Sequence, residues 1–234
     1  MAWFSRFDRY GSAHMVRSQD TVTQGGADSS NSCGISSIMM VNFKVKAHLL
    51  LSGLAAGAAV QANANRGSTF TGGTLADGVR AALATEPEIY RIYTDVTGSP
   101  YDGSSYSDCR YFPSVLRRLG LGAWETVSIG GSMFDAIKSA TDGGLPVIAL
   151  CHWTNGGGHF CCIDETHTTF GNTISVCDPW DGEQRIVSAS GGGAISYDPS
   201  GFVFSTGNAF GGNRHTYDSA SPGAFDGWIT RKTT

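Results

Sequence analysis

Apolar residues in the first half of the chain recur at helical spacing. Within 34–43 they follow i, i+3, i+4 steps and are too dense for a helix exposed on one side. This pattern predicts a buried helix with Cys33 in its first turn and Ser32 or Asn31 as its N-cap. Further helices are predicted over 49–64 (broken near glycines 53 and 57), 74–83, 87–93, 113–119 and 132–140.

The second half changes to short apolar runs typical of strands. They are separated by glycine, asparagine and aspartate, the residues that favour turns. The predicted strands are 145–153, 159–163, 173–177, 184–187 and 227–230. Because helices come first and strands later, the order predicts an α+β protein with a single domain. A helical lobe is expected over about 20–142 and a β-sheet lobe over about 143–234.

Composition excludes several classes of protein. The chain has 234 residues, 41% of them hydrophobic, and a net charge of −4 without a run of Lys or Arg, so we expect no nucleic-acid partner. The longest apolar stretch, 49–60, is shorter than the roughly 20 residues of a membrane span. The charged N-terminus does not resemble a signal peptide. We therefore expect synthesis in the cytoplasm and, for an exported protein, delivery by a specialised secretion machine.

Cys33 has the surroundings that thiol catalysis requires. The thiolate is the nucleophile, and the unpaired N–H groups and dipole of a helix N-terminus favour its formation. The small neighbours Ser32 and Gly34 allow a substrate to approach the sulfur. The other five cysteines are expected to be mostly buried small hydrophobes.

A thiol nucleophile needs a histidine and a group that orients it. His159 follows three glycines and begins a predicted strand, whereas His152 lies inside an apolar run and is expected to pack there. Asp178 ends another strand, and its spacing from His159 fits two neighbouring antiparallel strands joined by a loop. Asp164 and Asp181 are weaker candidates for the orienting role.

An oxyanion donor is the remaining part of such a site. The side-chain amide of Gln24, nine residues before Cys33, could donate beside the backbone N–H of Cys33. Gln19 is the alternative, and the spacing does not decide between the two.

Together these segments resemble the papain-like cysteine peptidases, in particular the bacterial branch of bacteriocin-leader peptidases and effector proteases. The resemblance covers about 24–187 and rests on five segments: Gln24-Gly25, Ser32-Cys33-Gly34, Gly144-Leu145-Pro146-Val147, Gly158-His159-Phe160 and Asp178-Pro179-Trp180. It implies a papain-like fold, with a buried catalytic helix packed on an antiparallel sheet. It also implies four roles: Cys33 as nucleophile, His159 as general base and acid, Asp178 as orienting group and Gln24 as oxyanion donor.

The expected activity is hydrolysis of a peptide bond through a thioester, in a secreted effector or toxin. The expected partners are a protein or peptide substrate and an inhibitor or immunity protein, and no cofactor is expected. Deamidation or transglutamination by the same residues is a first alternative. A binding module without activity is a second, either as an inactive papain-like fold or with zinc held by a cluster of close residues. That cluster comprises Cys151, His152, His159, Cys161 and Cys162.

Overall fold

The computed structural model describes residues 3–19, 31–63, 84–200, 217 and 222–233, with backbone only for 5 and 50–63. The predicted α+β class with an antiparallel sheet is confirmed. The helices are α1 (Cys33–Asn63), α2 (Glu86–Thr97), α3 (Phe112–Arg118, after a 3₁₀ turn at Cys109–Tyr111) and α4 (Met133–Thr141). The predicted helix over 74–83 lies outside the described residues.

The strands are β1 (Trp3–Phe7), β2 (Ala13–Arg17), β3 (Trp124–Ile129), β4 (Val147–Trp153), β5 (Gly158–His167), β6 (Thr173–Asp178), β7 (Glu183–Ser188), β8 (Ile195–Tyr197) and β9 (Gly223–Lys232). β1 and β2 form a hairpin. The other seven form an antiparallel sheet with the order β3-β9-β4-β5-β6-β7, in which β8 also pairs with β9. The sequence analysis did not predict the hairpin, β3 or β8. β3 joins the sheet from within the stretch assigned to the helical lobe.

The helix α1 packs its N-terminal half against one face of the sheet. The first hydrogen bond of the helix is donated by the Ser36 N–H to the Ser32 carbonyl oxygen at 3.0 Å. Ile35, Ile38, Met39 and Val41 of this half are buried in one cluster with Phe160 of β5. The helix continues unbroken to Asn63, so the predicted break near glycines 53 and 57 is wrong. Glycine weakens a helix interior by only about 1 kcal/mol, which does not by itself end a helix.

The opposite face of the sheet has its own apolar cluster, in which α4 covers β4 and β5. Cys161 and Ile163 point into this cluster, whereas Phe160 and Cys162 point toward α1. This division follows from the two-residue period of a strand. Five of the six cysteines are buried and Cys109 is partly exposed, in agreement with the expectation that most are buried.

Candidate active site

His159 is the second residue of β5, directly after a tight turn from β4. Gly156 and Gly157 have φ angles of 95° and 89°, which glycine adopts without strain. The turn is closed by the Trp153 N–H, which donates to the Gly157 carbonyl oxygen at 3.2 Å. The glycine run therefore makes the hairpin that sets the position of the histidine at the end of the sheet.

The His159 and Asp178 side chains are joined by a hydrogen bond of 2.7 Å between Nε2 and Oδ1. Both side chains are buried, and their strands β5 and β6 are antiparallel neighbours, as the spacing predicted. The Asp178 carboxylate can only accept, so Nε2 carries the proton of this bond and Nδ1 is left for another partner. The Trp180 N–H donates to the same Oδ1 at 2.8 Å.

Charge at this pair is set by burial and by close neighbours. Burial opposes the imidazolium form of His159, but the Asp178 carboxylate, through its charge and its hydrogen bond, helps to hold the pKa of His159 well above its usual value. Burial likewise opposes ionisation of Asp178, but His159 and Arg185 hold the pKa of that carboxyl below its usual value. The arrangement favours an imidazolium beside a carboxylate.

Two tyrosines and an arginine complete the surroundings of Asp178, and the sequence prediction missed all three. The hydroxyls of Tyr197 and Tyr217 donate to Asp178 Oδ2, the second at 3.0 Å, and Arg185 Nη1 lies 3.7 Å from it. The indole of Trp153 stacks on the His159 ring at 5.7 Å between centroids. Tyr197 and Tyr217 follow Asp178 by 19 and 39 residues in the chain, and no local pattern marks them.

The thiol of Cys161 lies beside the same pair. Donor atoms of Cys161, His159 and Asp178 all lie within 4.8 Å of one another. Strand alternation gives the signal that could have found it, because residues 159 and 161 share one face of β5. Burial raises the pKa of Cys161 to about 12, so its thiol is protonated at neutral pH.

Cys33 is the first residue of α1 and is buried beside Phe160. The Ser37 hydroxyl, one helical turn later, donates to the Phe160 carbonyl oxygen at 3.1 Å. A negative charge on Cys33 would raise the pKa of Cys161. Among the described residues no hydrogen bond joins Cys33 to His159, and the group within 4.8 Å contains Cys161 in its place. The structure thus places Cys33 at the predicted helix start, next to the strand that carries His159.

Of the two glutamines proposed as oxyanion donors, only one can be located. Gln24 lies outside the described residues. Gln19 is fully buried, and its backbone N–H donates to the Pro179 carbonyl oxygen at 2.6 Å. The preceding residue, Ser18, accepts from the Ser36 hydroxyl at 3.4 Å. Gln19 therefore lies between the first turn of α1 and the turn that follows Asp178.

The alternative site residues have other partners. His152 does not pack inside the sheet as expected; its side chain is 48% exposed and bonds to Asp226, because it points to the opposite face from Cys151. Asp164 pairs with His14 and Lys44.

Asp181, the other weaker candidate, pairs with Arg185. The residues proposed to hold zinc together are divided between the faces of the sheet, with Cys151 and Cys161 in one apolar cluster and Cys162 in the other.

Comparisons with known proteins leave the family open. No protein-family model matches the chain, and no curated protein is significantly similar to it. In the described part of the chain, no helix has the length and apolar character needed to cross a bilayer.

Proposed function

We propose that this protein is a papain-like cysteine peptidase that hydrolyses a peptide bond with Cys33, His159 and Asp178. The observation that carries the proposal is the buried 2.7 Å bond between His159 and Asp178. His159 belongs to β5, the strand on which the helix that begins at Cys33 packs. The first turns of α1 pack on the β5 strand through the bond from Ser37 to Phe160. This order of helix, histidine strand and aspartate strand is the one that the resemblance implies.

Two thiols, Cys33 and Cys161, are candidates for the nucleophile, and their environments favour different roles. Cys33 is at a helix N-terminus, where free N–H groups favour a thiolate and can also bind an oxyanion. Cys161 is inside a strand, where the backbone N–H groups are engaged by the sheet, and burial raises its pKa to about 12. A protonated thiol is a poor nucleophile. We therefore assign nucleophilic attack to Cys33.

The reaction follows from these assignments. The Cys33 thiolate attacks the carbonyl carbon, and the oxyanion is bound by the Cys33 N–H and the side-chain amide of Gln19. The His159 imidazolium, oriented by Asp178, donates its proton to the leaving amine, which departs as the peptide bond breaks. Neutral His159 then takes a proton from water, whose oxygen displaces the Cys33 thiolate from the thioester and releases the acid, which restores the thiolate and the imidazolium.

Digestion of an unfolded protein mixture, read by mass spectrometry, tests the proposal. The wild-type protein should produce new peptide termini, and Cys33→Ala should produce none, since loss of a nucleophile costs on the order of 10⁶-fold in rate. The matched variant Cys161→Ser should still cleave. Conversion of glutamine to glutamate without cleavage would instead identify a deamidase. Cleavage lost in Cys161→Ser but kept in Cys33→Ala would overturn the assignment of the nucleophile.

A further inference from the structure

A second group of metal-ligating side chains lies on the other face of the sheet from His159. It borders a cavity of about 240 Å³ between α1, β2 and the strands β5 and β6. Cys162, Asp164 and Cys177 line this cavity. Cys162 and Cys177 belong to the apolar cluster on the α1 side, whereas Cys161 belongs to the cluster on the opposite side.

Three elements bring their donor atoms together here. Atoms of His14 from β2, Asp164 from β5 and Cys177 from β6 all lie within 4.8 Å of one another. All three residues are at most 4% exposed. His14 Nδ1 is already 2.8 Å from an Asp164 oxygen. Imidazole, carboxylate and thiolate are the donors that Zn²⁺ prefers.

The Cys162 thiol is a fourth donor, and the pairing of the strands places it beside Cys177. Cys162 and Cys177 are direct cross-strand partners, so their side chains are neighbours on the same face. Asp164 lies two residues after Cys162 on β5, so its side chain points to the same face of the sheet.

Lys44 of α1 is a basic group in contact with Asp164. Its Nζ lies 2.7 Å from Asp164 Oδ2, and its side chain is 26% exposed. The ammonium therefore balances the carboxylate while it can also turn toward solvent. A divalent cation at the same carboxylate would displace it, because two cations repel each other at that distance.

We propose that His14, Asp164 and Cys177 form a zinc site with Cys162 as its fourth ligand. Zinc binding replaces the S–H bonds of the two cysteines with Zn–S bonds and releases both protons to solvent. The site ties the β1–β2 hairpin to the sheet through His14. It is independent of the proposed peptidase activity.

Binding of Zn²⁺ and Co²⁺ to chelator-treated protein tests the site. Calorimetry should show one Zn²⁺ per chain, and Co²⁺ should give a thiolate-to-cobalt charge-transfer band. Cys177→Ser should weaken binding at least tenfold and reduce the band, and the matched variant Cys161→Ser should change neither. Absence of binding in the wild-type protein would overturn the proposal. So would loss of binding in Cys161→Ser alone, which would place the metal beside His159.

Lys44→Met gives a test that does not remove a ligand. Because the Lys44 ammonium competes with the metal for Asp164, its removal should tighten Zn²⁺ binding about tenfold. Substitutions of groups that contact metal ligands change metal affinity by about this factor. Lys46→Met, two positions along the same helix, should leave the affinity unchanged. An unchanged or weaker affinity in Lys44→Met would show that the metal does not bind at Asp164.

Discussion

The Ser37 hydroxyl donates a 3.1 Å hydrogen bond to the carbonyl oxygen of Phe160. Ser37 lies one turn after Cys33 on α1, and Phe160 follows His159 on β5. The bond is buried and spans more than half of the chain. It fixes the start of the helix that begins at Cys33 against the start of the strand that carries His159.

Gln19 should supply a donor to the oxyanion. Gln19→Ala should lower kcat by about 10²–10³, the usual loss for one oxyanion donor, with little change in KM. Gln24→Ala is the comparison, and steady-state kinetics on a peptide substrate provide the measurement. A large loss of kcat in Gln24→Ala with an unchanged kcat in Gln19→Ala would identify Gln24 as the oxyanion donor.

Tyr217 should help to keep Asp178 ionised. Tyr217→Phe removes a hydroxyl that donates to Oδ2 at 3.0 Å while keeping the ring. Hydrogen bonds to charged groups contribute about 1.5–3 kcal/mol, and the free energy of unfolding in urea should fall by about that amount. Tyr106→Phe, at a side chain 72% exposed, should have no effect. Equal stability of both variants would contradict this role.

Acid should destabilise the protein through Asp164. Burial opposes ionisation of this carboxyl, but Lys44 and His14 outweigh it and lower its pKa to about 2. Since the folded value lies below the unfolded value, the stabilisation is complete above pH 4 and is lost as the pH falls toward 2. The lowered pKa corresponds to about 2 kcal/mol.

Unfolding of Asp164→Asn, followed between pH 6 and 2 with chelator present, tests whether Asp164 causes this loss of stability in acid. The variant should be less stable at pH 6 and should lose less stability on acidification than the wild-type protein. Asp142→Asn removes an exposed pair with Lys138 and should change stability by less than about 1 kcal/mol. Parallel acid curves for Asp164→Asn and the wild-type protein would show that another group is responsible.

The helix start tolerates no side chain at Gly34. A Cβ there would lie 2.1 Å from Ser107 Oγ and 2.7 Å from Phe112 Cζ. Gly34→Ala should therefore cost about 1–3 kcal/mol, as overpacking usually does, and Ser107→Gly should recover part of it. Gly130→Ala, with open space around it, serves as the control in thermal unfolding. A stable Gly34→Ala would contradict the close packing of this segment on α1.

Local sequence patterns predicted the helices and strands whose buried residues are apolar and recur at a regular spacing. The start of α1 was found from helical spacing and an N-cap, and the β5–β6 pair was found from two strands joined by a loop. His159 and Asp178 were linked for the same reason. In each case the residues that decide the structure are close in sequence.

The parts that were missed depend on distant polar contacts. In β2, His14 is buried between Asp8 and Asp164, so a polar residue occupies a position where the strand pattern requires an apolar one. Tyr217 reaches Asp178 from 39 residues away. Hydrophobic periodicity does not show which polar side chains pair across the fold. The hairpin and the surroundings of Asp178 therefore could not be predicted.

Alkylation by iodoacetamide across pH, with the modified cysteine identified by peptide mass mapping, tests the central claim most directly. The account predicts that Cys33 is the cysteine modified fastest at neutral pH, because the thiolate is the reactive form, and that this selectivity is lost in His159→Ala. Modification of Cys161 ahead of Cys33, or equal modification of Cys33 in the wild-type protein and in His159→Ala, would contradict it.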